Sequence, residues 1–206
     1  STRDTFVAAW RQRLSLLEVT NGEGLVILSE PFASPTTARQ KAELQRRFPA
    51  ARWVAYAPVA NEALTAGVEA AAGLPLRALY HFDQADVVVA LDSDFMQTEN
   101  DAVRQAADYA KRRQQLEAMN RLFVAESNFS STGSMADHRV RVKPSQIAGV
   151  LVALAKALAL PVGESLKAAA TTVDATWVKA AAEDLMQARG KGLVIVGRYQ
   201  PAPVQA

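Results

Sequence analysis

Asp86-Val87-Val88-Val89-Ala90-Leu91-Asp92-Ser93-Asp94 is the stretch that decides how the chain folds. Its five consecutive apolar residues do not alternate with polar ones, so the strand they form is expected to be buried on both faces, as in a parallel sheet covered by helices on either side. An acidic, polar exit follows at Asp92. In open parallel α/β sheets, ligands lie in the crevice beyond the carboxyl ends of the strands, which makes Asp92, Ser93 and Asp94 the first candidates for contact with a ligand.

On either side of this strand the chain alternates between short apolar runs and helical periodicity. Phe6, Trp10, Leu14 and Leu17 recur at the spacing of one helix face, which predicts a helix from about Asp4 to Val19 with that face buried. Leu25–Leu28 and Arg52–Tyr56 are the next strand candidates. Ser34 followed by Pro35 marks a helix start between them, a capping hydroxyl and then a residue whose missing amide is tolerated at the first helical position. An Ala-rich helix opens near Asn61 and closes at Gly73. Thr98 with Asp101 three residues later resembles a capping pair for a long helix through Ala118. Lys111, Arg112 and Arg113 on that helix form either a solvated charged face or a patch for a phosphate or acidic partner.

Arg121–Ala125 is a further strand, followed by a polar loop, Glu126 to Ser134, long enough to be functional. Ala136–Val142 alternates as a half-exposed strand does. Pro144 and Ser145 open a helix whose Ile147, Val150, Leu151, Leu154 and Leu158 share a face. The Ala-rich segment from Leu158 to Ala182 is the candidate for an inserted pair of helices, Asp174 caps the last helix, Gly190 ends it, and Leu193–Gly197 is expected to be a final buried strand. The expected fold class is α/β: a doubly wound, mostly parallel, Rossmann-like sheet of about five or six strands with right-handed crossovers and helices on both faces.

With 206 residues, half of them hydrophobic, the chain can bury a full core, and it is expected to be a single domain spanning 1–206 taken from a longer polypeptide. Lys and Arg number 23 against 21 Asp and Glu, and the basic residues are spread along helices instead of gathered in a stripe, which argues against a nucleic-acid partner. The absence of cysteine excludes thiolate nucleophiles, disulfides and cysteine-ligated clusters within the chain. No apolar run approaches the length of a membrane span, so direct membrane insertion is not expected.

The chain contains neither G-x-G-x-x-G nor G-x-x-x-x-G-K-S/T, which removes the usual warrant for a nicotinamide, flavin or nucleoside-triphosphate site. Asp92, Asp94 and Glu126 are expected to converge at the carboxyl edge if their strands are neighbours. Clustered carboxylates can do acid/base work, hold a hard cation, or accept from ribose hydroxyls or a base edge; they can equally cap helices and satisfy loop amides. Ser29, Ser127 and Asp137 complete the candidate binding positions. His138 beside Asp137 has the makings of an oriented base, but no G-x-S-x-G elbow accompanies it, and neither catalytic nor metal-ligating residues are expected.

Two stretches carry a resemblance. Tyr80-His-Phe-Asp-Gln-Ala-Asp-Val-Val-Val-Ala-Leu-Asp-Ser-Asp-Phe95 and Met119 through Val142, with its Ala136-Asp-His-Arg-Val-Arg-Val142, resemble the molybdopterin oxidoreductase superfamily, and most closely the large iron–sulfur subunit of alternative complex III, a quinol:electron acceptor oxidoreductase. The similarity runs from about Leu25 to Val196 and includes Gly190-Lys-Gly-Leu-Val-Ile-Val-Gly197. In cofactor-binding members, the strand matching Val87–Leu91 exits into a Gly-x-Asn-Pro loop that meets the guanine dinucleotide, and the later strand ends in an Asp-Pro-Arg-like segment. Here those segments are Asp92-Ser93-Asp94-Phe95 and Glu126-Ser127-Asn128. Added negative charge opposes a pyrophosphate. The resemblance therefore implies a domain without molybdopterin, beside iron–sulfur clusters carried outside this chain, that serves as a non-catalytic scaffold for the other subunits of a membrane-bound respiratory complex on the periplasmic side. Two alternatives stand beside it: a true molybdopterin guanine dinucleotide domain, and a free-standing small-ligand binder.

Overall fold

The structure is a computed structural model that describes residues 2–114 and 116–206. The chain forms two compact units, Ser1–Ala60 and Asn61–Ala206.

The first unit begins with α1 (Arg3–Val19), capped by Thr2 and Thr5, which exchange side-chain and backbone hydrogen bonds. It continues through β1 (Val26–Ser29), α2 (Pro35–Arg47) and β2 (Arg52–Ala55). The Ser34-Pro35 start behaves as its chemistry predicts: the Ser34 hydroxyl accepts from the Thr37 amide at 3.3 Å. β1 and β2 pair in parallel with Val26 opposite Arg52 and Leu28 opposite Val54. Two expectations change here. The α1 face read as buried is largely uncovered, with Phe6 65% and Trp10 48% exposed and Leu14 and Leu17 only half-buried. The strands also form a separate two-stranded sheet and do not extend one larger sheet. Ile27 and Trp53 are half-buried, while Val26, Leu28, Val54 and Tyr56 are exposed.

The second unit holds α3 (Glu62–Ala72), β3 (Val87–Leu91), α4 (Ala102–Arg113), β4 (Arg121–Glu126), α5 (Ser131–Ser134), β5 (His138–Arg141), α6 (Ile147–Ala157), α7 (Ala175–Gln187), β6 (Gly192–Val196) and α8 (Ala202–Gln205). Four strands make an all-parallel sheet in the order β5-β4-β3-β6. The fold is α/β, a parallel sheet with helices on both faces. All five residues of β3 are buried, as their unbroken apolar run requires. Val87, Val89 and Leu91 pack with Phe123, Ile147, Val150 and Leu154 against α6 and α7. Val88 and Ala90 pack on the opposite face with Leu122, Phe82, Phe95 and Tyr109. Each fully buried Val or Leu contributes about 1.5–3 kcal/mol, so β3 is the main anchor of the unit.

Further departures have local causes. β6 was expected to be buried, but it is an edge strand with Val194 38% exposed; an apolar run does not reveal whether a second neighbour will pair with it. The expected capping pair does not start α4 at Thr98. The chain turns on the Asp94 carbonyl, and the helix begins only at Ala102 because Asp101 is left-handed at φ 62° and its carboxylate accepts from Arg77 at 2.5 Å instead of capping. α4 ends at Arg113 and a single 3₁₀ turn, Leu116–Ala118, follows; the expectation of continuous helix includes Gln115, which lies outside the described residues. Between Leu158 and Ala182, one 3₁₀ turn (Glu164–Leu166) and α7 stand where two inserted helices were expected. The basic residues of α4 are paired: Lys111 with Asp108 at 2.9 Å, Arg112 with Asp86, and Arg113 with Asp137 at 2.9 Å.

Candidate functional site

Parallel register brings the ends of β3, β4 and β6 side by side. Leu91 lies opposite both Ala125 and Val196, the Asp92 amide donates to the Ala125 carbonyl at 2.7 Å, and the Gly197 amide donates to the Leu91 carbonyl at 2.9 Å. The approach of β6 needs glycine: a Cβ on Gly197 would stand 1.8 Å from the Asp92 carbonyl oxygen. Asp92 itself turns out of the strand with φ 54°.

Five of the candidate residues, Asp92, Ser93, Asp94, Glu126 and Ser127, meet at this edge. Their oxygens are already engaged. Asp92 Oδ2 accepts from Gln200 Nε2 at 2.8 Å, and its Oδ1 takes a long contact of 3.5 Å from the Ser127 hydroxyl. Asp94 Oδ1 accepts from the Thr132 amide at 3.0 Å and its hydroxyl at 2.8 Å. Glu126, 4% exposed, accepts from Arg139 Nε at 2.6 Å and from the Ser130 amide and hydroxyl at 3.3 and 2.5 Å. Ser130 in turn caps α5, its oxygen accepting from the Gly133 amide at 2.9 Å. A side chain on Gly133 would collide with Glu126, since its Cβ would lie 1.8 Å from Oε1. Among the described residues no group of three His, Cys, Asp or Glu side chains is placed to hold a metal ion.

Two candidates lie elsewhere. Asp137 precedes β5 at the amino edge of the sheet, where it accepts from both Arg113 nitrogens at 2.9 Å and from the Leu122 amide at 2.8 Å. That carboxylate is therefore committed to Arg113, while the His138 ring stacks on Phe123 with centroids 4.6 Å apart. Ser29 belongs to the first unit, where its hydroxyl accepts from Trp53 Nε1 at 2.9 Å and donates to the Glu30 carbonyl at 2.9 Å.

The sequence did not single out the cavity of about 320 Å³ beside the exit of β3. Leu64, Val68, Phe95 and Ile195 give it apolar walls, and Tyr80, Ser93, Glu99 and Gln105 are among its polar lining residues. Burial pushes the Glu99 carboxyl above the usual range, against the opposing pull of a hydrogen bond from the Arg198 amide at 3.2 Å and of the Arg198 charge; Asp94 adds to the rise. Burial, and then the Glu99 charge, push the Tyr80 phenol up. A signal for this site did exist in the sequence: Gln105 sits one turn before Tyr109 on the inward face of α4, a polar residue in a core position, and both are buried. The arrangement can bind and orient a small molecule. Its polar groups include the Arg77 guanidinium and the Asn61 and Asn100 amides as well as hydroxyls and carboxylates.

Among the described residues, no helix is long and apolar enough to cross a membrane. No protein-family model matches the chain, and no curated protein matches it.

Proposed function

We propose that this chain is a cofactor-free, non-catalytic scaffold domain of the molybdopterin-oxidoreductase type, built into a periplasm-facing respiratory quinol:electron acceptor oxidoreductase complex and contacting its other subunits. One observation carries this proposal. The sheet edge that in such domains would meet a nucleotide-linked pterin is occupied by the chain's own side chains, with Asp94 spending Thr132, Glu126 spending Ser130 and Arg139, and Asp92 spending Gln200. A pyrophosphate there would find its donors taken and three carboxylates facing it, and both terms oppose binding. The residues present do not fit that group. The exposed apolar positions Val26, Leu28, Val54 and Tyr56 on the parallel pair of the first unit favour a docking role, since parallel sheets are ordinarily covered on both faces.

The test is native purification followed by metal and pterin analysis, together with thermal unfolding in the presence of guanine nucleotides. A ligand that prefers the folded state must raise its stability. The scaffold predicts no stoichiometric molybdenum or pterin and no thermal shift. Stoichiometric pterin guanine dinucleotide, or a saturable rise with guanosine diphosphate, would replace the scaffold with a true cofactor domain.

A further inference from the structure

The first unit is short of a core. Among its described residues Phe48 is the one buried hydrophobic side chain, and no residue of α1, α2, β1 or β2 is buried. Units of about 60 residues are marginal even when they bury all that their size allows, so the apolar surface left here calls for cover.

That surface has a definite shape. Side chains alternate along a strand, so Ile27 and Trp53, opposite one another in register, share one face of the β1–β2 pair. This face has neighbours: Lys41 Nζ of α2 stands 5.8 Å from the Trp53 ring centroid, and Phe32 meets that ring edge-on at 6.0 Å. Val26, Leu28, Arg52, Val54 and Tyr56 belong to the other face, and all five are exposed. The four apolar ones leave roughly 400 Å² uncovered, a size at which patches are often functional. Parallel sheets carry helices on their faces, so a helix fits here. Charge narrows the choice further. The Arg52 guanidinium, beside Val26, has no hydrogen bond or ion pair among the described residues, and residues 1–60 carry eight Lys and Arg against five Asp and Glu. Carboxylates would be drawn to this face, whereas a second copy of the same basic unit would be opposed.

We propose that this face is the docking site for an acidic amphipathic helix of a partner protein, with its apolar stripe on Val26, Leu28, Val54 and Tyr56 and a carboxylate on Arg52. Four-residue strands span about 13 Å, which about nine helical residues cover. The inference rests on the docking role proposed above for this face and names the chemistry of what docks.

Three synthetic peptides of about fourteen residues serve as probes, titrated into the full ¹⁵N-labelled chain. One has leucine at helical spacing with glutamate flanking it, the second has lysine for each glutamate, and the third keeps glutamate with proline at its centre. The glutamate peptide should shift the amides of 26–29 and 52–56 saturably. At about 0.15 M salt it should bind at least fivefold tighter than the lysine peptide and at least tenfold tighter than the proline peptide. Arg52→Glu should reduce the preference for glutamate over lysine to about twofold or less, while Arg39→Glu, which changes the net charge equally from α2, should keep it. Leu28→Asp should weaken binding at least tenfold. Dispersed amide spectra establish that a variant is folded; should Leu28→Asp fail, Tyr56→Ser takes its place, and the probe ratios of the unaltered chain remain decisive. The proposal is overturned if the lysine or proline peptide binds as well as the glutamate peptide, or if saturable shifts fall elsewhere or do not occur. It is equally overturned if Arg39→Glu abolishes the preference as fully as Arg52→Glu, or if sedimentation shows a second copy covering this face. Such a failure leaves the cofactor-free reading standing, because that reading is decided by molybdenum, pterin and guanine nucleotides, none of which enters this experiment.

Discussion

Glu126 and Gly133 should behave as a single energetic unit, and a double-mutant cycle measures it. Glu126→Ala removes a 4% exposed carboxylate that holds Arg139 and Ser130. Breaking a buried pair costs about 3–5 kcal/mol, and the side chain of Arg139 is 25% exposed and can recover water, which places the loss near the lower end, at about 3 kcal/mol. Gly133→Ala drives a Cβ to 1.8 Å from Glu126 Oε1, and the carboxylate cannot yield without releasing Arg139, so overpacking should cost about 2 kcal/mol. Additivity would give about 5 kcal/mol for the double variant. With Glu126 truncated, however, the new methyl occupies vacated space, and the double variant should lose only about 3 kcal/mol, a coupling of about 2 kcal/mol. Urea unfolding followed by Trp177 fluorescence reads the second unit alone once Trp10 and Trp53 are replaced by Phe, since the chain has three tryptophans and Trp177 packs on Phe123. A coupling below about 0.5 kcal/mol would mean that Glu126 does not fill the space beside Gly133, and the closed mouth on which the scaffold proposal depends would be wrong.

Two further outcomes follow from buried titrating groups. Tyr109 has its phenol pushed up to about 12 by burial, partly opposed by the Arg113 charge, so its stabilising share is whole below the ordinary value of 10.0 and is lost as the pH climbs towards 12; Tyr109→Phe should remove a stability decline of about 3 kcal/mol over that window in pH-dependent urea unfolding. Glu99 also has a raised folded pKa, so it favours the folded state only where it is protonated in both states and costs stability as the pH rises through its ordinary range; Glu99→Gln should therefore raise Tm at neutral pH, and the gain should disappear in acid, whereas a gain of equal size at both pH values would assign the effect to packing.

What could be read from the chain was local. Val87–Leu91 announced a strand buried on both faces because nothing in it is suited to water, and Ser34-Pro35 announced a helix start because both groups act within one turn. Pairing is not local. Leu193–Val196 is as apolar as β3 yet lies at the sheet edge, and the β1–β2 pair stands in its own sheet, because neither run encodes which strand it will meet. The acidic exit at Asp92 and Asp94 was legible for the same reason, while its neutralisation was not: Thr132 comes from 38 residues away and Gln200 from 108. Asp137 was misplaced because a residue just before a strand lies at the opposite edge from one just after it.

The late start of α4 and the cavity are one feature. A helix beginning at Thr98, as the Thr98–Asp101 pattern suggests, would include Glu99, Asn100 and Asp101, which instead border the cavity. Arg77 holds the Asp101 carboxylate, and the chain turns on the carbonyl of Asp94, whose own side chain is tied to Thr132. The carboxylate that closes the mouth on the β4 side thus also anchors the turn that leaves room on the β6 side, where Gly197 lets the strand end approach Asp92. Asp94 thus takes part both in the closed edge beside β4 and in the turn that borders the cavity.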